Sequence, residues 1–123
     1  MERIMKIELL KQREIPFTFC YPDSVLKIVE LGLTNICPWT ILGRDGILLK
    51  MKGLESRYST RRLLPFAICQ YNDDVACFEE GKGEEVQIIH DFAAEGWEQR
   101  GGRTYPNFWA WFKMAIDEMI EFD

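Results

Sequence analysis

The sequence contains one histidine, His90, placed at Ile88-Ile89-His90-Asp91 where an apolar run meets an acid. A general base needs a pKa near working pH and a partner within hydrogen-bond reach, and a His beside an Asp has the right types for that. The groups it would serve are not framed for catalysis. Ser24, Ser56 and Ser59 stand in no nucleophile-elbow sequence. No Gly-x-Gly-x-x-Gly or Walker loop offers a phosphate cradle, and Gly81-Lys82-Gly83 is short enough to read as a hairpin turn. Asp73 and Asp74 are adjacent, an arrangement that suits backbone bonding in a turn better than an acid–base pair. His90 therefore reads as a structural residue, and no catalytic residue is assigned.

Cys20, Cys37, Cys69 and Cys77 form no Cys-x-x-Cys pair, and their spacing fits no zinc ribbon. A structural zinc site wants four ligands, which one His and scattered cysteines do not supply in readable form. The thiols are expected to be free and mostly buried. Cys69 and Cys77 are the pair that a hairpin would bring close, the one place for a redox couple. No metal and no cofactor is expected.

The net charge of −5 is unevenly distributed. Residues 1–70 hold 11 basic and 7 acidic residues, a balance of +4, and residues 71–123 hold 4 and 13, a balance of −9. A strongly negative half repels phosphate backbones, which excludes nucleic acid as the expected partner and favours a basic protein. The candidate contact residues are Asp73, Asp74, Glu79, Glu80, Glu84 and Glu85, joined by Trp97, an aromatic in a Gly-rich loop that must pack down or meet a partner. The acids Asp117, Glu118, Glu121 and Asp123 oppose the dipole at the end of the last predicted helix and are a second place for a basic partner. No apolar run approaches the roughly 18 residues of a membrane span. The opening Met-Glu-Arg-Ile-Met-Lys-Ile-Glu lacks the regions of a signal peptide, so the expected location is the cytoplasm.

With 123 residues, 47% of them hydrophobic, the chain is expected to form one domain spanning 1–123. Residues 2–13 fit helix or strand equally, and Pro16 ends the segment. Asp23 or Ser24 would cap a helix carrying Val25, Ile28 and Val29 on one face, stopped at Gly32. A second helix begins near Asp45 and aligns Ile47, Met51, Leu54 and Tyr58. Residues 63–70 read as a strand in which Pro65 requires an unpaired side. Tyr71-Asn72-Asp73-Asp74 is a turn, Val75 to Glu79 a return strand, Glu80 to Gly83 a second turn and Val86 to Asp91 a third strand. The loop from Phe92 to Arg103 leads to a closing helix. Pro106 lies near its start, and Phe108, Phe112, Ala115, Ile116 and Met119 form its apolar stripe. Trp109 and Trp111 point in different directions, so one of them belongs at the margin of the stripe. The expected class is α+β, with an antiparallel or mixed sheet containing a C-terminal meander, flanked by helices including the aromatic-rich last one.

Three ordered stretches carry a family resemblance. They are Leu64-Pro65-Phe66-Ala67 with Asn72-Asp73-Asp74-Val75-Ala76-Cys77-Phe78; Val86-Gln87-Ile88-Ile89-His90-Asp91-Phe92 with Gly96-Trp97; and Tyr105-Pro106-Asn107-Phe108-Trp109-Ala110-Trp111-Phe112. Together they resemble the SUKH superfamily, which includes the Smi/Knr-like proteins and many bacterial toxin-immunity proteins. The resemblance covers roughly residues 60–123. Where many members carry Asn-Gly-Gly after an early helix, this chain has Leu31-Gly32-Leu33. The resemblance implies an α+β fold, no enzyme activity, and direct binding of a toxin, often a basic nuclease. The alternative it implies is a general intracellular interaction or scaffold module.

Overall fold

Turn chemistry folds the second half of the chain into a meander. The computed structural model describes residues 7–122. Its elements run in the order α1 (Asp23–Glu30), β1 (Asn35–Ile36), β2 (Trp39–Ile41), α2 (Arg44–Arg57), β3 (Leu63–Cys69), β4 (Asp74–Glu79), β5 (Val86–His90), β6 (Thr104–Tyr105) and α3 (Phe108–Glu121). Among the described residues the six strands form one sheet in sequential order, and every pair is antiparallel. The class is therefore α+β. At the β3–β4 turn the Asn72 side chain accepts a bond from the Asp74 amide at 2.8 Å, the expected Asx chemistry. The β4–β5 turn uses Gly81 and Gly83, both at positive φ.

The central strand β3 is buried on both faces and carries a bulge. Pro65 opposes Cys77 and Ala67 opposes Ala76, so Phe66 is an extra residue in the ladder. The bulge puts Leu64, Phe66, Ala67 and Cys69 in one apolar cluster and leaves Leu63 and Ile68 with the other. β2 pairs only with Ala67 to Cys69, so the β2 side of β3 has no strand partner at Pro65, as a residue without an amide hydrogen requires.

The larger cluster lies between the sheet, α1, α3 and the N-terminal segment through Leu10, Ile15 and Phe17. Phe66 is its hub. The Phe78 ring stacks on it at 4.8 Å, the Trp111 ring meets it edge-on at 4.9 Å, and the Phe108 ring is at 5.6 Å. Trp111 also meets Trp39 edge-on at 5.4 Å. Of the two tryptophans on α3, Trp111 is buried and Trp109 is exposed, so Trp109 is the marginal one. The second face is covered by α2, whose Leu54, with Tyr58 just past its end, packs with Leu63, Val75, Cys77 and Ile89, while Ile47 of the same helix joins the larger cluster.

Several expected details differ. The α1 N-cap position is Pro22, and neither Asp23 nor Ser24 caps it with a side chain; Asp23 is already the first helical residue. Gly32 does end α1. It adopts positive φ, its amide bonds the Val29 carbonyl and that of Leu33 bonds the Ile28 carbonyl, the paired bonds of a Schellman stop. Pro106 precedes the α3 cap, which is Asn107, whose side chain accepts from the Ala110 amide at 2.9 Å. Of residues 2–13, positions 2–6 lie outside the described residues. The rest is neither strand nor α-helix, with a short 3-10 turn at Gln12–Glu14. β1, β2 and β6 were not foreseen, because strands of two or three residues carry too little periodicity to read. Cys69 and Cys77 belong to opposite faces of the sheet, so the hairpin does not make them a redox couple. Burial pushes both thiols up from the ordinary value. Among the described residues no helix is long and apolar enough to cross a membrane.

Replacing Phe66 by Ala should destabilise the fold by about 3–5 kcal/mol, a large-to-small change at a fully buried hub. Trp109→Ala should cost under about 1 kcal/mol. Urea denaturation followed by circular dichroism measures both, and equal losses would contradict the assignment of Phe66 as the hub.

Candidate functional site

The acids singled out in the sequence occupy two ends of the sheet. β4 has six residues, so at about 3.3 Å per residue its ends lie roughly 17 Å apart. Asp73 and Asp74 are at one end, in the β3–β4 turn. Glu79, Glu80, Glu84 and Glu85 are at the other, around the β4–β5 turn.

At the far end two of the four glutamates are engaged within the fold. Glu79 takes both its oxygens to Arg61, which donates from Nε at 2.9 Å and from Nη2 at 2.8 Å. Arg61 also reaches the buried Glu98 at 3.1 Å and the Gln99 side chain at 2.8 Å. Burial alone would raise the Glu98 pKa, but bonds from its own amide, the Gly96 amide and Arg61 outweigh it and hold the carboxyl below its usual range. Glu85 accepts from the Gln87 side chain at 2.8 Å. Glu84 is exposed, and Glu80 faces Arg62 at 3.7 Å with both partly in solvent, a contact worth little. Trp97 joins neither set of acids. Its exposed ring carries the Arg100 guanidinium at 5.6 Å.

At the near end the structure gathers more than the sequence suggested. Asp74 Oδ1 is 2.6 Å from His90 Nδ1. An ionised carboxylate only accepts, so Nδ1 carries the proton and donates. Among the described residues the His90 ring bonds this acid and no nucleophile. Arg103 links Asp74, at 3.9 Å, to Glu118 of α3, at 3.3 Å. Tyr71 of the turn stacks on Phe122 just past α3, with ring centroids 5.6 Å apart and planes at 24°. Pro38, Tyr71, Glu118, Glu121 and Phe122 line an open depression of about 230 Å³ between them. The Glu118 charge is the main cause of a raised Tyr71 hydroxyl pKa. Asp74 of the turn and Glu118 of α3, more than forty positions apart, are thus joined through Arg103.

A third cluster was missed. The Asp91 side chain has 0% exposure, and four donors surround it. Oδ1 accepts from Arg57 Nε at 2.6 Å and from the Phe92 amide at 2.9 Å. Oδ2 accepts from Arg57 Nη2 at 2.8 Å and from Lys50 Nζ at 3.1 Å. Burial alone would raise the Asp91 pKa; Arg57, Lys50 and the Phe92 amide outweigh it and hold the carboxyl low. Phe92 is turned out at φ 69°, a left-handed conformation rare for a bulky residue, and the residue is 63% exposed. The Arg57 guanidinium stacks at 4.2 Å from the ring centroid and Lys50 lies at 5.5 Å. Gly53 is part of this device. A Cβ there would stand 2.6 Å from Arg57 Nη2, so the glycine, costly in mid-helix, gives the guanidinium room to lie back along α2. The readable signals were Gly46 and Gly53, seven apart on one flank of α2; nothing in the sequence marked Phe92 for positive φ.

Among the described residues no group of three or more His, Cys, Asp and Glu is placed to hold a metal ion. No protein-family model, no curated protein and no solved structure matches the chain, so the SUKH resemblance rests on its three sequence stretches.

Asp91→Asn should cost roughly 1–3 kcal/mol at pH 7, because it leaves two cations facing a neutral amide. The folded-state pKa of Asp91 is lowered. Its stabilisation is therefore complete above the unfolded carboxyl value, near 3.9, and is lost as pH falls through the lower folded value. Urea midpoints taken from pH 7 to pH 2 should show wild type and Asp91→Asn converging in the acid range. Parallel curves throughout would contradict the clamp.

Proposed function

We propose that this chain is a non-enzymatic protein-binding domain, an immunity protein that neutralises a bacterial toxin, such as a basic nuclease, by direct binding in the cytoplasm. One observation carries the reading. Glu118 and Glu121 of α3 line the depression beside an exposed Tyr71–Phe122 stack, and Arg103 bridges Glu118 to Asp74 of the β3–β4 turn, the neighbour of Asp73. Aromatic rings give contact area at low entropic cost, and these acids steer a basic partner and fix its register. The sequence resemblance supports the same reading, since it implies toxin binding without enzyme activity.

The reading also narrows the choice of contact residues. Glu79 is held by Arg61, and Glu85 bonds Gln87, so the far turn presents fewer free carboxylates than its sequence suggests. The near end is the binding surface in this reading, and Glu80 and Glu84 are bystanders. His90 orders the near end by donating to Asp74.

Three baits test this in lysate of the source cell at low and high salt: wild type, Asp73→Lys with Glu121→Lys, and Glu80→Lys with Glu84→Lys. The expected result is one dominant basic protein, inhibited by wild type in its own toxicity assay, lost at high salt and lost from the near-end variant alone. Capture that ignores salt, or that survives in the near-end variant, would overturn the acidic-end reading.

A further inference from the structure

The Asp91 clamp borders a groove of about 380 Å³ that the near-end reading does not use. Its walls are Leu42, Leu49, Ile68 and Phe92, and Gly46 and Gly53 keep the α2 flank low. The volume falls within the range of ligand pockets, roughly 300–1,000 Å³. Leu49 is 77% exposed, and with Phe92 it leaves apolar surface unpartnered at the rim. The groove's charged liners, Lys50 and Arg57, are both cationic. Asp91 supplies one negative charge beneath two positive ones and takes Nε and Nη2 of Arg57 together with one Lys50 hydrogen. Beyond their contact with the Phe92 ring, Arg57 Nη1 and the remaining Lys50 hydrogens have no hydrogen-bond partner among the described residues.

We infer that this groove is a second docking surface, built to receive a segment of a partner protein in which a large apolar side chain stands next to a carboxylate. The buried Asp91 holds both cations in place before the partner arrives, which lowers the ordering cost of binding. Their free donors meet the partner's carboxylate while Leu49, Ile68 and Phe92 enclose its apolar side chain. This surface selects the opposite charge from the Tyr71–Phe122 end, so one domain can hold an acidic segment and a basic one at once.

Phe92→Gly separates binding from folding. Glycine adopts positive φ without steric strain, which offsets its larger loss of chain entropy and the lost ring contacts, so this variant should melt close to the wild-type temperature while losing the ring. The probes are the blocked peptides acetyl-Glu-Leu-Leu-Glu-amide, acetyl-Gln-Leu-Leu-Gln-amide and acetyl-Lys-Leu-Leu-Lys-amide, titrated into ¹⁵N-labelled protein. The expected result is saturable amide shifts at Leu49, Lys50, Arg57 and Phe92 with the acidic peptide, at least about tenfold weaker in Phe92→Gly and in Leu49→Asp, and weaker for the other two peptides. No shifts, equal shifts from all three peptides, or shifts unchanged in Phe92→Gly would overturn it. Shifts at the same residues that grow with protein concentration alone would make the occupant a second copy of the chain and equally overturn the assignment.

Discussion

A carboxylate removed from water must keep counter-charges and hydrogen-bond donors around it, because an unpaired buried charge costs several kcal/mol. Asp91 meets that requirement with Arg57, Lys50 and the Phe92 amide, and much of the surrounding geometry follows. To deliver Arg57, α2 must lie across the second face of the sheet with Gly53 beneath the guanidinium. To deliver its own amide, Phe92 must turn into the left-handed region and expose its ring. The bulge at Phe66 completes the arrangement from the other side. It rotates Ile68 onto the α2 face, where it forms a wall of the same groove.

The charges illustrate how far a linear count can mislead. The second half of the chain holds an excess of acids and the first half an excess of bases, which suggests one acidic face. In the fold, α2 and the residues just after it carry much of that basic excess onto the meander. Lys50 and Arg57 meet Asp91, Arg61 meets Glu79 and Glu98, and Arg62 meets Glu80. The asymmetry in large part joins helix to sheet. The acids at the near end, with Arg103 as their bridge, keep a charge surplus beside exposed aromatic rings.

Much of the architecture was legible in the residues. The central strands announced themselves as apolar runs between Asn/Asp and Gly turns, and α3 as a stripe led by Phe108 and Phe112. Gly32 ended α1 because a left-handed stop suits glycine. Pro106 marked the start of α3, and Asn107 beside it is the cap. The short strands β1, β2 and β6 exist because longer neighbours pair with them, which no local pattern encodes. The candidate sites were least legible. Tyr71 meets Phe122, and Lys50 meets Asp91 forty-one positions away; such contacts are set by the sheet and helix placement. Asp91 itself looked like one more acid at a strand end.

Fixed cations neutralise the buried acids beside the meander, Arg57 and Lys50 at Asp91 and Arg61 at Glu98. A carboxyl-detected NMR titration of ¹³C-labelled protein measures this most directly. Asp91 and Glu98 are predicted to titrate below the ordinary carboxyl range, and each should move upward when its arginine is removed, in Arg57→Ala and Arg61→Ala respectively. An Asp91 carboxyl that titrates at or above the ordinary value, or one indifferent to Arg57→Ala, would contradict it.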